Sequence, residues 1–327
     1  MKILILFVIL SNIYSQQYDF YHNGENRQYF LYEPETIQEN APLVFALHGY
    51  GGGPNWMINN TGLNEIADLY GFAVCYPKGT TDNSNNRFWN VGYEFHQGVE
   101  VDDVGFISAL AVFLQSEYGY NNKQTFATGM SNGADMSYML GCQTNDIFKA
   151  IAPVAGCMME EIYNTCNSIP LSIFEIHGTN DNITLWDGDM ENNDGWGAYL
   201  STSATIDFWV EKNGCESSEN FIDSDINLIH HRNFDCLDDT EVWLYEIDGG
   251  GHDWPIYSSE AIWGFFSKFK YIIGDFNFDD DINILDVIIL VNHILSPAAV
   301  ELEGADINND GDVNILDIIQ LLNIILS

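Results

Sequence analysis

The run Thr125-Phe126-Ala127-Thr128 leads directly into Gly129-Met130-Ser131-Asn132-Gly133, after which a helical pattern begins. A serine between two such glycines can sit on a strand-to-helix turn too sharp for bulkier neighbours, with its hydroxyl lifted clear of the sheet. The helix start that follows aims backbone amides at developing negative charge. At neutral pH a serine hydroxyl needs a base to become a nucleophile, and the base needs an acid to orient it. Of the 8 histidines, His252 follows Gly249-Gly250-Gly251 at the end of an apolar strand-like run, where an imidazole can reach over a nucleophile unobstructed. His22, His230, His231 and His293 read as surface or packing residues, and His96 as a loop outsider. The acid is expected at Asp181, after the strand-like Ile173 to Ile176 and a tight turn, with Asp187 and Asp189 as the next candidates. His177 reads as a brace of that turn. The loop His48-Gly49-Tyr50-Gly51-Gly52-Gly53 lets backbone approach the reacting centre. An oxyanion hole is expected from the amides of Asn132 and Tyr50, or from a direct neighbour of Tyr50. No Gly-Lys-Ser/Thr follows this loop, which argues against a phosphate cradle.

These residues must be positioned by alternating elements. Apolar runs at Leu43 to Leu47, Phe72 to Tyr76, Thr125 to Thr128, Ala150 to Val154, Leu171 to Ile176 and Glu241 to Ile247 read as buried strands. Helical patterns at Val104 to Tyr118, Asp135 to Cys142 and Ser203 to Lys212 lie between them. The fold class is therefore α/β, with a mostly parallel sheet and helices on both faces. The chain order Ser131, Asp181, His252 is that of α/β-hydrolases. Tyr18 to Tyr32, with Asn23-Gly24 at its middle, reads as an antiparallel edge hairpin.

The segments LVFALHGYGGG, RFWN, VDDVGFI, GMSNGADMSYML, IAPVAG, IHGTND and GGGHDWP occur in this order. Together they resemble the polyhydroxybutyrate-depolymerase-like family, which includes feruloyl and acetylxylan esterases. The likeness runs from about Tyr18 to Lys270. It implies a catalytic triad of Ser131, Asp181 and His252. It also implies that Trp89, Asn90 and Trp254 lie near the substrate, although aromatic packing would equally account for the two tryptophans. The acidic, aromatic stretch from Asn182 to Gly197 departs from the family pattern and leaves the acyl preference open.

From Gly274 onward there is no Lys or Arg, and two near-copies appear: DFNFDDDINILDVIILVNHIL and DINNDGDVNILDIIQLLNIIL. Oxygen-bearing side chains recur at Asp275, Asn277, Asp279, Asp281 and Asp286, and again at Asp306, Asn308, Asp310, Asp312 and Asp317. Positions one, three, five and twelve are those at which an EF-hand-like loop offers side-chain oxygens to Ca2+, while position seven offers its backbone carbonyl. The apolar helix after each loop is too regular for a disordered tail. The doubled loop and helix resembles a small all-α dockerin module, which implies structural calcium and a cohesin-like partner. Ile284-Leu285 and Ile315-Leu316 stand where many dockerins carry small hydroxyl residues, so a different partner, or packing against the preceding domain, is an alternative.

The remaining organisation follows from composition. Residues 1–15 read as a signal peptide, with Lys2, a short apolar run and a small residue at the cut; a buried first strand is the alternative. The esterase-like domain spans 16–271 and the dockerin-like domain 272–327. An exported chain with 6 cysteines can form disulfides. Cys215 with Cys236, which flank one polar, irregular segment, is the favoured bridge and Cys157 with Cys166 a second, leaving Cys75 as a buried thiol. A formal charge of −38 repels phosphate backbones, so nucleic acid is excluded as a partner. No run is long enough for a membrane span. The expected protein is secreted and extracellular: a serine carboxylic-ester hydrolase acting through an acyl-enzyme on polysaccharide-linked feruloyl or acetyl esters, with no catalytic cofactor. An extracellular polyhydroxybutyrate depolymerase acting on a polyester is the alternative. A non-catalytic, calcium-dependent binding or scaffold protein is the rival from another class.

Overall fold

Asn23 and Gly24 adopt positive φ, 47° and 87°, in the computed structural model. That makes a two-residue hairpin turn whose twist matches its strands, pairing His22 with Glu25. The structure describes residues 15–144, 146–269, 273–277, 281–295, 302, 304–308 and 310–326. The expected leader lies outside the described residues except for Ser15. Two compact units are found, Met1–Lys268 and Phe269–Ser327.

The strands of the first unit are β1 (Gln16–His22), β2 (Glu25–Tyr32), β3 (Leu43–Leu47) and β4 (Ala73–Lys78), followed by the short β5 (Thr80–Thr81) and β6 (Arg87–Phe88). Then come β7 (Thr125–Met130), β8 (Ala150–Val154) and β9 (Ser172–Gly178). The last are β10 (Ser217–Asp223), β11 (Leu228–Phe234) and β12 (Val242–Ile247). All but β5 and β6 form one sheet in the order β1-β2-β4-β3-β7-β8-β9-β12-β11-β10. Its centre, from β4 to β12, is parallel. Both margins are antiparallel. Every residue of β3, β7, β8 and β9 is buried, which is why these strands read as unbroken apolar runs rather than alternating ones.

Residues of one parity face one core. Leu43, Phe45 and Leu47 share it with Phe106 and Leu110 of the helix Asp103–Tyr118 and Trp209 of the helix Thr202–Asn213. Residues of the other parity meet the helix Ser258–Phe266: Phe126 stacks on Phe266 with centroids 4.6 Å apart, and Phe174 meets Phe265 at 5.4 Å. The long helix Asp103–Tyr118 starts where Asp102 Oδ1 accepts the Gly105 amide at 2.8 Å and stops at left-handed Gly119. Its buried Asp103 pairs with Arg27 at 2.7 Å and accepts the Asn90 amide at 2.8 Å, tying β2 and the Asn90 loop to this helix.

Two expectations are corrected here. The segment between Cys215 and Cys236, read as irregular, forms the hairpin β10–β11. Its outer strand is almost wholly exposed, so no apolar period marked it. Cys166 bonds Cys142, not Cys157, while Cys215–Cys236 forms as expected. The helix Asn132–Gln143 carries Cys142 to within 4.7 Å of Cys166 between Cα atoms. Cys157 instead faces the core as a free thiol, as does Cys75.

The second unit holds the helices Ile284–Leu295 and Ile315–Leu326 around a small core of Phe276, Val287, Leu290, Ala305 and Leu321. Among the described residues no helix is long and apolar enough to cross a membrane.

Peptide mapping without reductant should recover Cys142–Cys166 and Cys215–Cys236, with Cys75 and Cys157 alkylated only after denaturation. A Cys157–Cys166 peptide would refute this pairing. Cys166→Ser should cost about 2–4 kcal/mol of stability, read from the urea midpoint.

Candidate active site

The site is built around one residue held in an unfavourable backbone conformation. Ser131, between β7 and the helix Asn132–Gln143, has φ 57° and ψ −123°. A non-glycine residue there costs about 1–3 kcal/mol, and the surroundings must enforce it. The Ser131 amide donates to the Val154 carbonyl at 2.9 Å, and its own carbonyl accepts from Ala134 at 2.7 Å. Gly133 lies so close to β3 that a Cβ there would fall 2.1 Å from the Leu47 carbonyl oxygen. Only glycine permits that approach.

Because Leu47 pairs with Gly129, the loop after β3 leaves the sheet beside Ser131, and a Cβ on Gly49 would lie 3.3 Å from that of Ser131. His48 fixes this loop from beneath. Burial lowers its pKa to about 4, so the ring is neutral; Nδ1–H donates to the Gly49 carbonyl at 2.9 Å and Nε2 accepts the Gly79 amide at 3.0 Å. Trp89 then links loop and turn. Its indole donates to the His48 carbonyl at 2.9 Å, while its backbone N–H and C=O pair with the Asn132 side chain at 2.7 and 3.0 Å. The peptide N–H groups of Tyr50 and Asn132 have no acceptor among the described residues. Two donors so placed beside a serine suit a transient oxyanion.

His252 reaches the site on the glycine-rich turn after β12, which packs so tightly on the end of β9 that a Cβ at Gly178 would lie 2.3 Å from the Gly250 carbonyl oxygen. Its Nδ1 lies 2.7 Å from Asp181 Oδ2, and Asp181 Oδ1 accepts the Ile183 and Thr184 amides at 2.8 and 2.9 Å. Burial favours the neutral acid at Asp181, but the hydrogen bonds from His252 and Ile183 outweigh it and hold the carboxyl below the usual range. Asp181 is thus the acid that meets His252. Asp189 is occupied by Asn193 and Asp194 of its own loop, and Asp187 is exposed. His177 does brace the turn, bonded to Glu175 at 2.8 Å and the Thr184 carbonyl at 2.9 Å. Burial opposes its charge, but Glu175 prevails and raises the imidazole pKa. Glu175 is held in turn by the Tyr138 hydroxyl.

Ser131 opens onto two cavities. One, about 200 Å³, also touches His48, Gly49, Tyr50, Trp56 and His252. The other, about 20 Å³, lies among Tyr93, Asp135, Cys157, Ile183, Trp196 and Tyr199. Asp135 escaped the sequence reading: one polar residue inside a helix carries no signal, yet it accepts the Tyr93 hydroxyl at 2.6 Å and the Cys157 amide at 2.7 Å. Burial raises its pKa to about 6. None of the three residues expected near the substrate lines either cavity at Ser131. Trp89 is fully buried as the strut just described. The Asn90 amide is spent on the Val99 and Val101 carbonyls, beside a separate polar cavity of about 500 Å³. Trp254 is turned onto Ser259 at 3.2 Å. In each, a polar atom found a structural partner that a motif does not reveal.

In the second unit, Asp286 and Asp317 are fully buried and bind their own loops. Asp286 accepts the amides of Phe276, Asn277 and Asn283, and Asp317 those of Ile307, Asn308 and Asn314. Asp306 accepts the Asp310 and Gly311 amides, folding the second loop about its oxygens. The backbone carbonyls of Asp281 and Asp312 accept from Asn283 and Asn314. Asp279 lies outside the described residues, among which no three acidic, His or Cys side chains gather closely enough to hold an ion. The donors are nonetheless all oxygen, as a hard cation requires.

Residues 27–198 match the family model Esterase PHB depolymerase, and residues 273–326 match the Dockerin type I domain. The chain is 30% identical over 161 residues to the bifunctional acetylxylan esterase/xylanase XynS20E of Neocallimastix patriciarum, covering 49% of this chain and 22% of that protein. It is 28% identical over 174 residues to the probable feruloyl esterase C of Aspergillus niger, covering 52% of this chain and 60% of that one. To the poly(3-hydroxyalkanoate) depolymerase C of Paucimonas lemoignei it is 24% identical over 281 residues, 77% of this chain and 65% of that protein. Among solved structures, the acetyl xylan esterase from Aspergillus awamori superposes with a TM-score of 0.57 at 16% identity, over 78% of this chain and all of that one. That likeness is one of fold, the α/β-hydrolase fold.

Gly133→Ala should destabilise the chain by about 1–3 kcal/mol or more, because its Cβ meets backbone rather than a yielding side chain. The buried Asp135 makes a pH signature. Its raised pKa means that the native state holds this proton more tightly than the unfolded chain, so its contribution is complete below the unfolded pKa and is lost as pH rises through about 6. The urea midpoint of the parent should therefore fall relative to Asp135→Asn between about pH 4 and pH 7; parallel profiles would contradict the assignment.

Proposed function

This chain belongs to the esterase PHB depolymerase family and ends in a type I dockerin domain, and we propose that it is a secreted serine carboxylic-ester hydrolase acting on polysaccharide-linked feruloyl or acetyl esters. One observation carries the reading: Ser131, in its enforced turn, opens onto the same cavity as His252, whose other nitrogen is held by Asp181.

The chemistry follows from the geometry. Asp181 stays anionic, fixes the His252 tautomer with Nδ1 protonated, and leaves Nε2 to take the Ser131 proton. The serine oxygen attacks the ester carbonyl, and the oxyanion is received by the Tyr50 and Asn132 amides. His252 returns the proton to the departing alcohol. Water, activated by the same imidazole, then releases the acid from the acyl-enzyme. Relatives named as acetylxylan and feruloyl esterases support a polysaccharide substrate. The match to a polyhydroxyalkanoate depolymerase supports the second reading, an extracellular polyester hydrolase, for which the same residues serve.

The dockerin domain supports calcium in the two loops, held through Asp275, Asn277, Asp306, Asn308, Asp310 and the buried Asp286 and Asp317. Bound there, the ion would neutralise clustered carboxylates and hold the loops folded. A cohesin-like protein is the partner this domain suggests. Ile284, Leu285, Ile315 and Leu316 are 60%, 52%, 65% and 51% exposed, so the complementary surface should be apolar.

Ser131→Ala and His252→Ala should each lower turnover of a nitrophenyl ester at least about a thousandfold, with Asp181→Asn losing as much or less. Full activity in Ser131→Ala would sink the serine mechanism. The fragment from Gly274 to Ser327 should gain helical circular dichroism on adding calcium, since short helices and unscreened acidic loops are unstable alone. Unchanged spectra would remove calcium from the proposal. Esterase activity of the full chain should survive chelator.

A further inference from the structure

We infer that Trp196, Tyr199 and Tyr93 close the acyl side of Ser131 to anything larger than an acetyl group. This rests on the ester-hydrolase reading above and narrows its substrate. The sides of the nucleophile are set by proton transfer. His252 must protonate the leaving oxygen, so the alcohol lies in the cavity that His252 lines, about 200 Å³ with Tyr50 and Trp56 on its walls. The acyl group is left with the other cavity, which Ser131 lines and His252 does not. Its volume is about 20 Å³, little more than the one-water minimum of about 10–15 Å³. A methyl group fits. A phenylpropenoyl group or a hydroxybutyryl chain would have to displace these walls or run out past Ile183.

The walls are held from behind, so the cavity cannot widen cheaply. The Tyr93 hydroxyl and the Cys157 amide are both bonded to Asp135. The Tyr199 hydroxyl accepts the Leu185 amide at 3.2 Å. Trp196 stands edge-on to Tyr93 with centroids 5.1 Å apart and to Tyr50 at 5.7 Å, and its carbonyl accepts the Glu94 amide at 2.9 Å. Moving any one ring would break a hydrogen bond or an aromatic contact of its neighbour. Ile183, 44% exposed, forms the outer lip.

The test is kcat/KM of the full chain on nitrophenyl acetate, nitrophenyl butyrate and nitrophenyl ferulate, which share one leaving group. Acetate should exceed the other two by about a hundredfold or more, in the range that a misfit of a few atoms commands. Trp196→Ala should raise the butyrate-to-acetate ratio about tenfold. Ile183→Ala, at an exposed position that the fold tolerates, should move it in the same direction should the tryptophan variant fail to fold. Ferulate or butyrate turned over as fast as acetate, with Ser131→Ala inactive, would overturn the closed acyl side and leave the hydrolase reading intact. Acetyl preference that neither variant shifts would overturn the assignment to these walls. No hydrolysis of any ester would remove the hydrolase reading, and this inference with it.

Discussion

The backbone of Ser131 is the constraint on which the rest of the first unit depends. A serine does not adopt φ 57° and ψ −123° by preference. It is driven there by the Val154 carbonyl on one side and by the packing of Gly133 against Leu47 on the other. Those contacts require β3, β7 and β8 to be adjacent and parallel, which the continuous burial of these strands secures. The same adjacency delivers the loop after β3 to Ser131, so one register sets both the turn and the placing of the Tyr50 and Asn132 amides beside it. Trp89 locks the two together through Asn132 and His48.

A chain of formal charge −38 still buries several acids, and each is satisfied locally. Asp103 has Arg27 and the Asn90 amide, Asp135 has Tyr93 and Cys157, and Glu175 has Tyr138 and His177. Around Asp181 the arrangement is layered, with His177 Nε2 3.5 Å behind the oxygen that faces His252. Tyr138, Glu175, His177, Asp181 and His252 therefore form a connected set running along β9 toward the cavity, while Asp103 and Asp135 are satisfied by partners of their own. Such a set is rigid when complete and costly when any member is lost.

Legibility in the sequence followed the reach of each interaction. Glycine spacing betrayed the Ser131 turn because sterics act within a few residues. Buried strands announced themselves by continuous apolarity, and the first hairpin by Asn23-Gly24. The place of Asp181 after β9 and of His252 after β12 could be read because both follow recognisable strand ends. What escaped depends on distant packing. Asp135 becomes a cavity wall only when Cys157 and Tyr93 fold over it. Cys142 meets Cys166 only because a helix of 12 residues ends beside it. For Trp89 and Trp254 the motif left substrate contact and packing equally open, and only three dimensions show each indole nitrogen engaged within the protein. The strand β10 stayed hidden because an exposed strand needs no apolar face.

The bond between Cys142 and Cys166 has a consequence for where this fold can be completed. It clamps the far end of the same helix whose first turn carries Asn132, so Ser131 and the Asn132 amide are mounted on a rod anchored at its opposite end by sulfur. Thiols in a reducing compartment would leave that anchor unmade and free Cys166 to approach Cys157 during folding. Closing that anchor needs an oxidant, so a chain produced in a reducing host would need its disulfides restored before its kinetics could be compared with those of the disulfide-bonded protein.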